Sequence, residues 1–197
     1  MITLGVTGGI GSGKSTACRI FEELGAQVFY ADDVAKRLMV EDPELREEIT
    51  LAFGEESYDP DGQLNRSYLA EIVFNNEQKL QLLNRLVHRR VRTAFNEGRQ
   101  KAERSGVELL VEEAALIYET GIDEELDYVA VVDAPEEIRI RRVIERDGTD
   151  AEAVRARMNN QMPAEEKRDR ADFVLDNSGS VEELREQVVA LYDQLVG

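Results

Sequence analysis

The chain has 197 residues, 42% of them hydrophobic, which is enough for one substantial core and a small appended subdomain. Its net charge of −17 at pH 7 argues against nonspecific binding to nucleic acid or to an anionic membrane surface, because the average field repels phosphates. No apolar run approaches the roughly 18 residues of a membrane span, and the first residues read as a strand rather than a signal peptide.

The single cysteine, Cys18, falls in a predicted helix beside Ala17, where a small buried hydrophobe is expected rather than a reactive thiol. One cysteine cannot form an internal disulfide. Together with the missing signal peptide and membrane span, this predicts a cytoplasmic protein. We expect a monomer or a weak homo-oligomer.

The chain begins with a predicted strand, a glycine-rich turn and a helix. Residues 2–7 alternate apolar with small or polar residues, and residues 14–24 carry apolar residues at helical spacing. Between them, residues 8–15 read GGIGSGKS, a complete G-x-x-x-x-G-K-[ST] phosphate loop. Glycines let the backbone N–H groups turn inward, while Lys14 holds the outer phosphates and Ser15 offers its hydroxyl to Mg²⁺. The segment therefore predicts binding of a nucleoside triphosphate.

Predicted strands and helices alternate through the rest of the chain. A strand at 27–30 is followed by helices at 32–39 and 43–53, a polar loop at 54–66 and a long helix at 77–104. The later elements are strands at 107–111, 128–132 and 173–175, helices from 136 and within 150–169, and a final helix opened by the capping box of Ser180 and Glu183.

This order predicts an α/β fold, a P-loop NTPase-type parallel sheet of about five strands flanked by helices. A single P-loop domain is predicted, with its core at about 1–33, 105–137 and 170–197. The strandless stretch 34–104 is predicted to be a helical insertion above the carboxyl edge of the sheet, where ligands bind. Residues 138–169 are predicted to form an arginine-bearing lid.

Two acidic pairs follow predicted strands. Asp32 lies just past the second strand, where a carboxylate can take a proton from an attacking hydroxyl or orient it. Asp33 is the alternative residue for this role. The alternative role for one of the two aspartates is merely to cap the next helix. Glu112 and Glu113 end the third strand, where phosphate-loop proteins place an acid near Mg²⁺; the alternative for either one is a solvated strand end. Because successive strand side chains point to opposite faces, only one of these glutamates faces the site, and which one stays open.

Two groups of arginines run against the acidic background. On the long helix, basic side chains share one face by their three- and four-residue spacing: Arg85, His88, Arg89 and Arg92. They predict either a cradle for an anionic substrate or an exposed stripe without a partner. The helix from 136 carries a second such face with Arg139, Arg142 and Arg146. Of these, we expect Arg142 and Arg146 to supply positive charge to the transferred phosphoryl group.

The phosphate loop alone is shared by kinases, GTP-dependent switches and motor ATPases. A GTPase needs a guanine-reading Asn-Lys-x-Asp segment, which the sequence lacks. The short chain, the acid after the second strand and the arginine-bearing helix favour a small-molecule kinase. A kinase for another hydroxylated metabolite, such as a nucleoside or sugar acid, and a nucleotide-dependent switch are the alternatives.

Along nearly its full length the chain resembles the dephospho-CoA kinase family. The segments that carry the resemblance are TGGIGSGKST at 7–16, AD at 31–32, FG at 53–54, DGQLNR at 61–66, VF at 73–74, VH at 87–88, LIYETG at 116–121, Arg142, RD at 146–147, QMP at 161–163, ADF at 171–173 and DNSG at 176–179. The resemblance implies ATP-dependent phosphorylation of the ribose 3′-hydroxyl of dephospho-CoA, which gives coenzyme A and ADP in the last step of coenzyme A synthesis.

The same resemblance implies roles for individual residues. Asp32 matches the catalytic base, and Arg142 and Arg146 match lid positions. The ATP-binding positions are Gly11, Ser12, Gly13, Lys14, Ser15, Thr16 and Asn177. The helical insertion at about 34–104 is implied to be the substrate-binding part that receives dephospho-CoA. The positions implied for this substrate are His88, Arg92 and Glu113.

The chain departs from the family pattern at three places. Tyr30 replaces the first acid of Asp-Ala-Asp, although Asp32 is retained. Arg89 follows His88 where the family has proline, and Glu113 begins the segment that reads Asp-x-Pro-Leu-Leu in the family. The longer acid and the missing proline leave the Glu113 position less fixed than in the family.

Overall fold

The structure, a computed structural model, describes residues 1–74 and 76–197. Within them it has five strands: β1 Ile2–Thr7, β2 Gln27–Tyr30, β3 Leu109–Glu113, β4 Tyr128–Asp133 and β5 Phe173–Asp176. The helices of the same residues are α1 Lys14–Glu23, α2 Ala31–Glu41, α3 Pro43–Phe53, α4 Arg66–Phe74, α5 Glu77–Arg104, α6 Ile117–Thr120, α7 Glu136–Asp147, α8 Ala151–Met158, α9 Ala164–Arg170 and α10 Val181–Val196.

The chain forms two compact units. The first contains Met1–Tyr30 and Lys101–Gly197, and all the strands given above belong to it. The second, Ala31–Gln100, is built from helices, with a short 3-10 helix at Glu55–Ser57. The boundary falls directly after β2, so Asp32 stands in the first turn of the second unit's first helix.

The strands pair in parallel in the order β2-β3-β1-β4-β5. This confirms the predicted parallel α/β sheet. The central strand β1 pairs with β3 through Leu4 and Val111 and with β4 through Leu4 and Tyr128. The segment after β1, which is the phosphate loop, therefore emerges between the ends of two neighbouring strands.

Helices α1 and α10 pack on one face of the sheet. The alternate residues of the strands on that face form the main core with the two helices, and they include Leu4, Val6, Leu109, Val111, Ala130 and Val132. The opposite face is closed near β1, because a Cβ added to Gly5 would lie 2.8 Å from Ile117 Cδ1 and 2.7 Å from Leu126 Cδ1. Such burial on both faces explains the nearly continuous apolar character of these strands.

The third strand begins later than predicted. It runs over Leu109–Glu113 rather than 107–111, so both glutamates are strand residues and both are buried. The reason is the end of α5, where Gly106 adopts φ 73° and the Val107 N–H bonds to the Ala102 carbonyl at 3.1 Å. Val107 therefore closes a helix end instead of joining the sheet.

Three short helical segments do not appear among the predicted elements: α4, α6 and the 3-10 helix at Ile122–Glu125. The predicted polar loop at 54–66 holds the other 3-10 helix and a bridge between Tyr58 and Leu64. The Arg46 guanidinium lies over the Tyr58 ring and donates to the carbonyls of Val40 and Gly62, both at 2.8 Å. Arg46 thus helps to order a loop whose composition alone predicts only turns. In the part of the chain that the structure describes, no helix combines the length and apolarity of a membrane span.

Candidate active site

The phosphate loop joins the end of β1 to the start of α1. Gly11 and Gly13 adopt left-handed backbone conformations with φ 78° and 98°, which side chains other than glycine disfavour. Gly13 is the N-cap of α1, and no side chain caps this helix end. The loop is closed by a bond from Ser12 N to Gly9 O at 3.0 Å, and Lys14 Nζ donates to Gly8 O at 3.2 Å. This geometry matches an anion site at a helix N-terminus.

Three other parts of the chain are in close contact with this loop. A Cβ added to Gly8 would overlap the Val132 carbonyl oxygen of β4, and one added to Gly11 would overlap the Arg139 carbonyl oxygen of α7. A Cβ on Gly13 would overlap Asn177 Nδ2, from the segment after β5. The glycines are therefore required both by backbone conformation and by the close approach of their neighbours.

Asn177 is the contact between the segment after β5 and the phosphate loop. Its side chain is 5% exposed, and Nδ2 donates to the Ser12 carbonyl at 2.7 Å. Its backbone N–H donates to the Asp133 carbonyl at 2.7 Å. The structure thus brings Asn177 against the loop residues Gly11–Thr16 with which the resemblance grouped it.

Glu113, not Glu112, shares the sheet face of α1. Burial raises the pKa of the Cys18 thiol well above its usual value, the nearby Glu113 charge raises it further, and Lys14 opposes the rise. Glu113 and Lys14 therefore both act electrostatically at Cys18, within the phosphate-loop helix. Of the two glutamates, Glu113 is therefore the one on the sheet face that packs against α1.

Glu112 points to the other face of the sheet. It is 1% exposed, and its Oε2 has no hydrogen-bond partner among the described residues. Burial raises the pKa of Glu112 to about 7. Its cross-strand neighbours are Gly5 and Phe29, which offer no side-chain donor.

Helix α7 carries the second arginine group, and its Arg139 contacts the phosphate loop. Arg139 Nη1 occupies the space that a Cβ of Gly9 would take, and Arg139 Nε is buried without a partner among the described residues. Arg142 Nη1 is likewise buried and unpartnered there. Arg146 instead pairs with Asp147 at 2.7 Å, and that carboxylate also binds Arg157 at 3.0 Å. Arg139 is thus in direct contact with the loop. The sequence predicted that it lies on the basic face of this helix but assigned it no role in the site.

Ile10 links the loop to the predicted lid region. Its side chain packs against a cluster formed by Ile140, Val143 and Val154, and its N–H donates to Gln161 Oε1 at 3.0 Å. Beside it lies a cleft of about 520 Å³, lined by residues that include Gly9, Asp133, Arg139, Met158, Gln161 and Arg168. Arg168 pairs with Asp133 at 3.2 Å on the wall of this cleft.

The remaining predicted site residues lie in the second unit. Asp32 and Asp33 are both in the first turn of α2, and Asp33 pairs with Lys36 at 2.8 Å. Burial lowers the pKa of His88, while the charge of Asp32 acts to raise it. Within this unit, Asp32 therefore lies close enough to His88 to act electrostatically on its ring.

The basic face of α5 is only partly available to a ligand. Arg89 pairs with Glu48 of α3, and the neighbouring Arg90 pairs with Asp42 and, at 2.6 Å, with Glu44. Arg85 and Arg92 are exposed. Of the predicted basic face, Arg89 is thus engaged by an ion pair to α3, which helical spacing alone does not predict.

The dephospho-CoA kinase family model matches residues 2–183. A dephospho-CoA kinase from Salinibacter ruber is 50% identical over 197 residues, which is 100% of this chain and 99% of that protein.

Two solved structures extend the likeness to three dimensions. A dephospho-CoA kinase from Campylobacter jejuni is 30% identical with a TM-score of 0.73, covering 98% of this chain and 96% of that one. The crystal structure of TT1252 from Thermus thermophilus is 38% identical with a TM-score of 0.83, covering 100% of this chain and 98% of that one. The chain therefore belongs to the dephospho-CoA kinase family.

Proposed function

We propose that this chain transfers the terminal phosphoryl group of ATP to the ribose 3′-hydroxyl of dephospho-CoA, which yields coenzyme A and ADP. The proposal is supported by family membership over residues 2–183 and by relatives that match the whole chain. The structural observation that carries it is the glycine-rich loop at the start of α1, enclosed by β4, α7 and Asn177. Such a loop binds the polyphosphate of a nucleotide.

For ATP, we assign the backbone of Gly11–Thr16 to the phosphates and Lys14 to the outer ones. Asn177, bonded to Ser12, would hold the loop beside the base of the nucleotide. The Ser15 hydroxyl would hold Mg²⁺ together with phosphate oxygens and water, because Mg²⁺ prefers oxygen ligands and keeps several waters. When bound, Mg²⁺ neutralises charge that develops on the transferred group.

For the acceptor, we assign Asp32 as the group that takes the proton of the 3′-hydroxyl. Its neighbour Asp33 is engaged by Lys36 at 2.8 Å, which favours Asp32 for the role. Since the pKa of His88 lies below its usual value, His88 is neutral at pH 7 and would contact dephospho-CoA as a hydrogen-bonding group. Exposed Arg92 would bind the diphosphate of this substrate, and Glu113 would help to orient it.

For the transferred phosphoryl group, we assign positive charge from α7. Arg142 and Arg139 each have a buried nitrogen without a partner among the described residues, and such nitrogens are suited to phosphate oxygens. Arg146 is held by Asp147, so its lid role would require exchange of that partner for the nucleotide.

The test is release of ADP in a coupled assay with ATP, Mg²⁺ and a panel of acceptors. We expect ADP release with dephospho-CoA and little with nucleosides, gluconate or no acceptor. Turnover with another hydroxylated metabolite but not with dephospho-CoA would overturn the substrate assignment. Nucleotide-dependent binding of a protein partner, with no acceptor used, would identify a switch instead.

We also propose that the protein works in the cytoplasm as a monomer or a weak homo-oligomer. Cys18 is buried and free, as expected of a protein from a reducing compartment. Light scattering at several protein concentrations would measure the oligomeric state.

A further inference from the structure

Lys167 of α9 is a fully buried lysine. Its side chain is 0% exposed, and Nζ donates to the Ala115 carbonyl at 2.7 Å and to Glu119 Oε1 at 2.9 Å. Glu119, in α6, is itself largely buried, with 22% of its side chain exposed. Burial acts to raise the pKa of Glu119, but the bonds from Lys167 and from the Met162 N–H outweigh it and hold that pKa below its usual range.

Both partners of Lys167 connect to the phosphate loop. The Ala115 carbonyl also accepts a bond from Thr7 Oγ1 at 3.3 Å, and Thr7 is the last residue of β1. Glu119 Oε1 also accepts from Met162 N at 2.9 Å. The residue before Met162 is Gln161, whose Oε1 accepts from Ile10 N at 3.0 Å. A continuous series of bonds therefore runs from the buried lysine to both ends of the segment Thr7–Ile10.

Stability alone does not explain this pair. Removing two charges from water is costly, and replacing a buried ion pair by apolar side chains of similar volume is often neutral or stabilising. A buried pair can instead fix one arrangement of the segments that it joins. Here the joined segments are the β3–α6 turn, the chain entering α9 and, through Gln161, the loop that binds phosphate.

We propose that Lys167 and Glu119 form a positioning pair: by fixing Met162 they hold Gln161 on the Ile10 amide and so preset the phosphate loop for ATP. The proposal rests on the assignment of ATP to this loop. It explains why the Gln-Met-Pro segment at 161–163, which lies outside the loop in sequence, belongs to the same site. Neither member of the pair touches the reacting atoms.

The experiment is a double-mutant cycle between Gln161 and the pair. Three proteins are compared with wild type: Gln161→Ala, the pair variant Glu119→Leu with Lys167→Met, and the combination of all three substitutions. The measured quantities are kcat, KM for ATP, KM for dephospho-CoA, calorimetric affinity for a nonhydrolysable ATP analogue, and the melting temperature.

If the pair acts through Gln161, the effects are not additive. We expect kcat/KM for ATP to fall about tenfold in the Gln161 variant, about tenfold in the pair variant, and no more than about twentyfold in the combination. KM for dephospho-CoA should change less than about twofold, and the melting temperature of the pair variant should stay close to that of wild type.

A matched control is the ion pair of Arg170 with Asp123, which joins the same helix α9 to the segment after α6 at 2.9 Å. This pair is part-exposed, and among the described residues it makes no bond to Gln161, Met162 or the phosphate loop. Arg170→Gln with Asp123→Asn should leave kcat and the affinity for the ATP analogue unchanged.

The outcomes separate this proposal from the proposed function. Wild-type protein that binds no ATP analogue contradicts the function itself. Two results would overturn the positioning pair in a wild-type protein that does bind the ATP analogue. One is a loss of kcat/KM for ATP in the combined variant that equals the product of the separate losses. The other is normal ATP kinetics in the Gln161 variant. Should the pair variant fail to fold, Glu119→Ala takes its place in the cycle, because Lys167 then still donates to the Ala115 carbonyl. Losses of ATP affinity that do not multiply with those of Gln161→Ala support the proposal, and multiplying losses or unchanged affinity overturn it.

Discussion

Two adjacent aspartates open α2, and their surroundings separate them. Asp33 pairs with Lys36 at 2.8 Å, whereas the charge of Asp32 acts on His88. A carboxylate that must accept a proton needs access to the acceptor hydroxyl rather than a lysine partner. The difference lies in their neighbours, which are Lys36 one turn along α2 for Asp33 and His88 of α5 for Asp32. Two identical residue types therefore acquire different assignments.

Asp32→Asn should therefore lower kcat by about 10²–10⁴-fold, the usual contribution of a positioned general base, while the affinity for ATP stays unchanged. Steady-state kinetics and calorimetry measure the two quantities. Asp33→Asn is the control, with kcat expected within a few-fold of wild type. A larger loss of kcat in the Asp33 variant would move the role of base to that residue.

Arg92 is exposed on a helix whose neighbouring arginines are committed to α3. Arg92→Glu should raise KM for dephospho-CoA more than KM for ATP, because only the former substrate is assigned to this helix. Lys101→Glu, a charge reversal further along the same helix, is the control and should change neither constant. Equal increases in both KM values for Arg92→Glu would show that the basic face is only solvated surface.

At the scale of elements, β3 presents a glutamate to each face of the sheet. Glu113 shares the face of α1 and Lys14, whereas Glu112 is buried on the other face without a partner for Oε2. A buried acid without a countercharge remains protonated to a higher pH than in water. The pKa of Glu112 is accordingly raised from 4.5 to about 7.

This raised pKa predicts a pH-dependent stability. Between pH 4.5 and about 7 the unfolded chain releases the Glu112 proton while the folded chain retains it, so the free energy of unfolding falls as the pH rises through this window. The loss amounts to about 3 kcal/mol in order of magnitude. Glu112→Gln should remove this pH dependence. The free energy of unfolding of the variant, relative to that of wild type, should therefore rise between pH 4.5 and 7.

Urea unfolding of both proteins at pH 5 and pH 8 measures that difference. Glu108→Gln, at an exposed position just before the same strand, is the control and should run parallel to wild type. Parallel profiles for Glu112→Gln and wild type would contradict a raised pKa at this site.

The comparison of sequence and structure is also clearest at the scale of elements. Alternating periodicity predicts the parallel sheet and most of the helices, because apolar residues repeat every second or every third to fourth position. An apolar run does not say where pairing begins, and so β3 starts two residues later than predicted. Contacts between distant residues, such as Asn177 with Ser12 or Lys167 with Glu119, leave no periodic trace. The family resemblance predicted that Asn177 belongs to the site, whereas Lys167 is identified only by its burial and its hydrogen bonds in the structure.

At the scale of the whole molecule, a net charge of −17 coexists with a site for polyanions. The charged groups next to the phosphate loop explain how an acidic protein can have such a site. The N-terminus of α1 has no acid in its first turn, and α7 brings Arg139 into contact with the phosphate loop. Local donors act at contact distance, whereas the diffuse negative field is screened over about 10 Å at ordinary salt.

The most direct measurement is phosphorus NMR of the reaction products formed from ATP, Mg²⁺ and dephospho-CoA. We predict one new phosphomonoester on the ribose 3′-oxygen for each ADP released, and no ADP when the 3′-hydroxyl is replaced by hydrogen. Release of ADP with dephospho-CoA unchanged, or phosphate on another hydroxyl, would contradict phosphoryl transfer to this position.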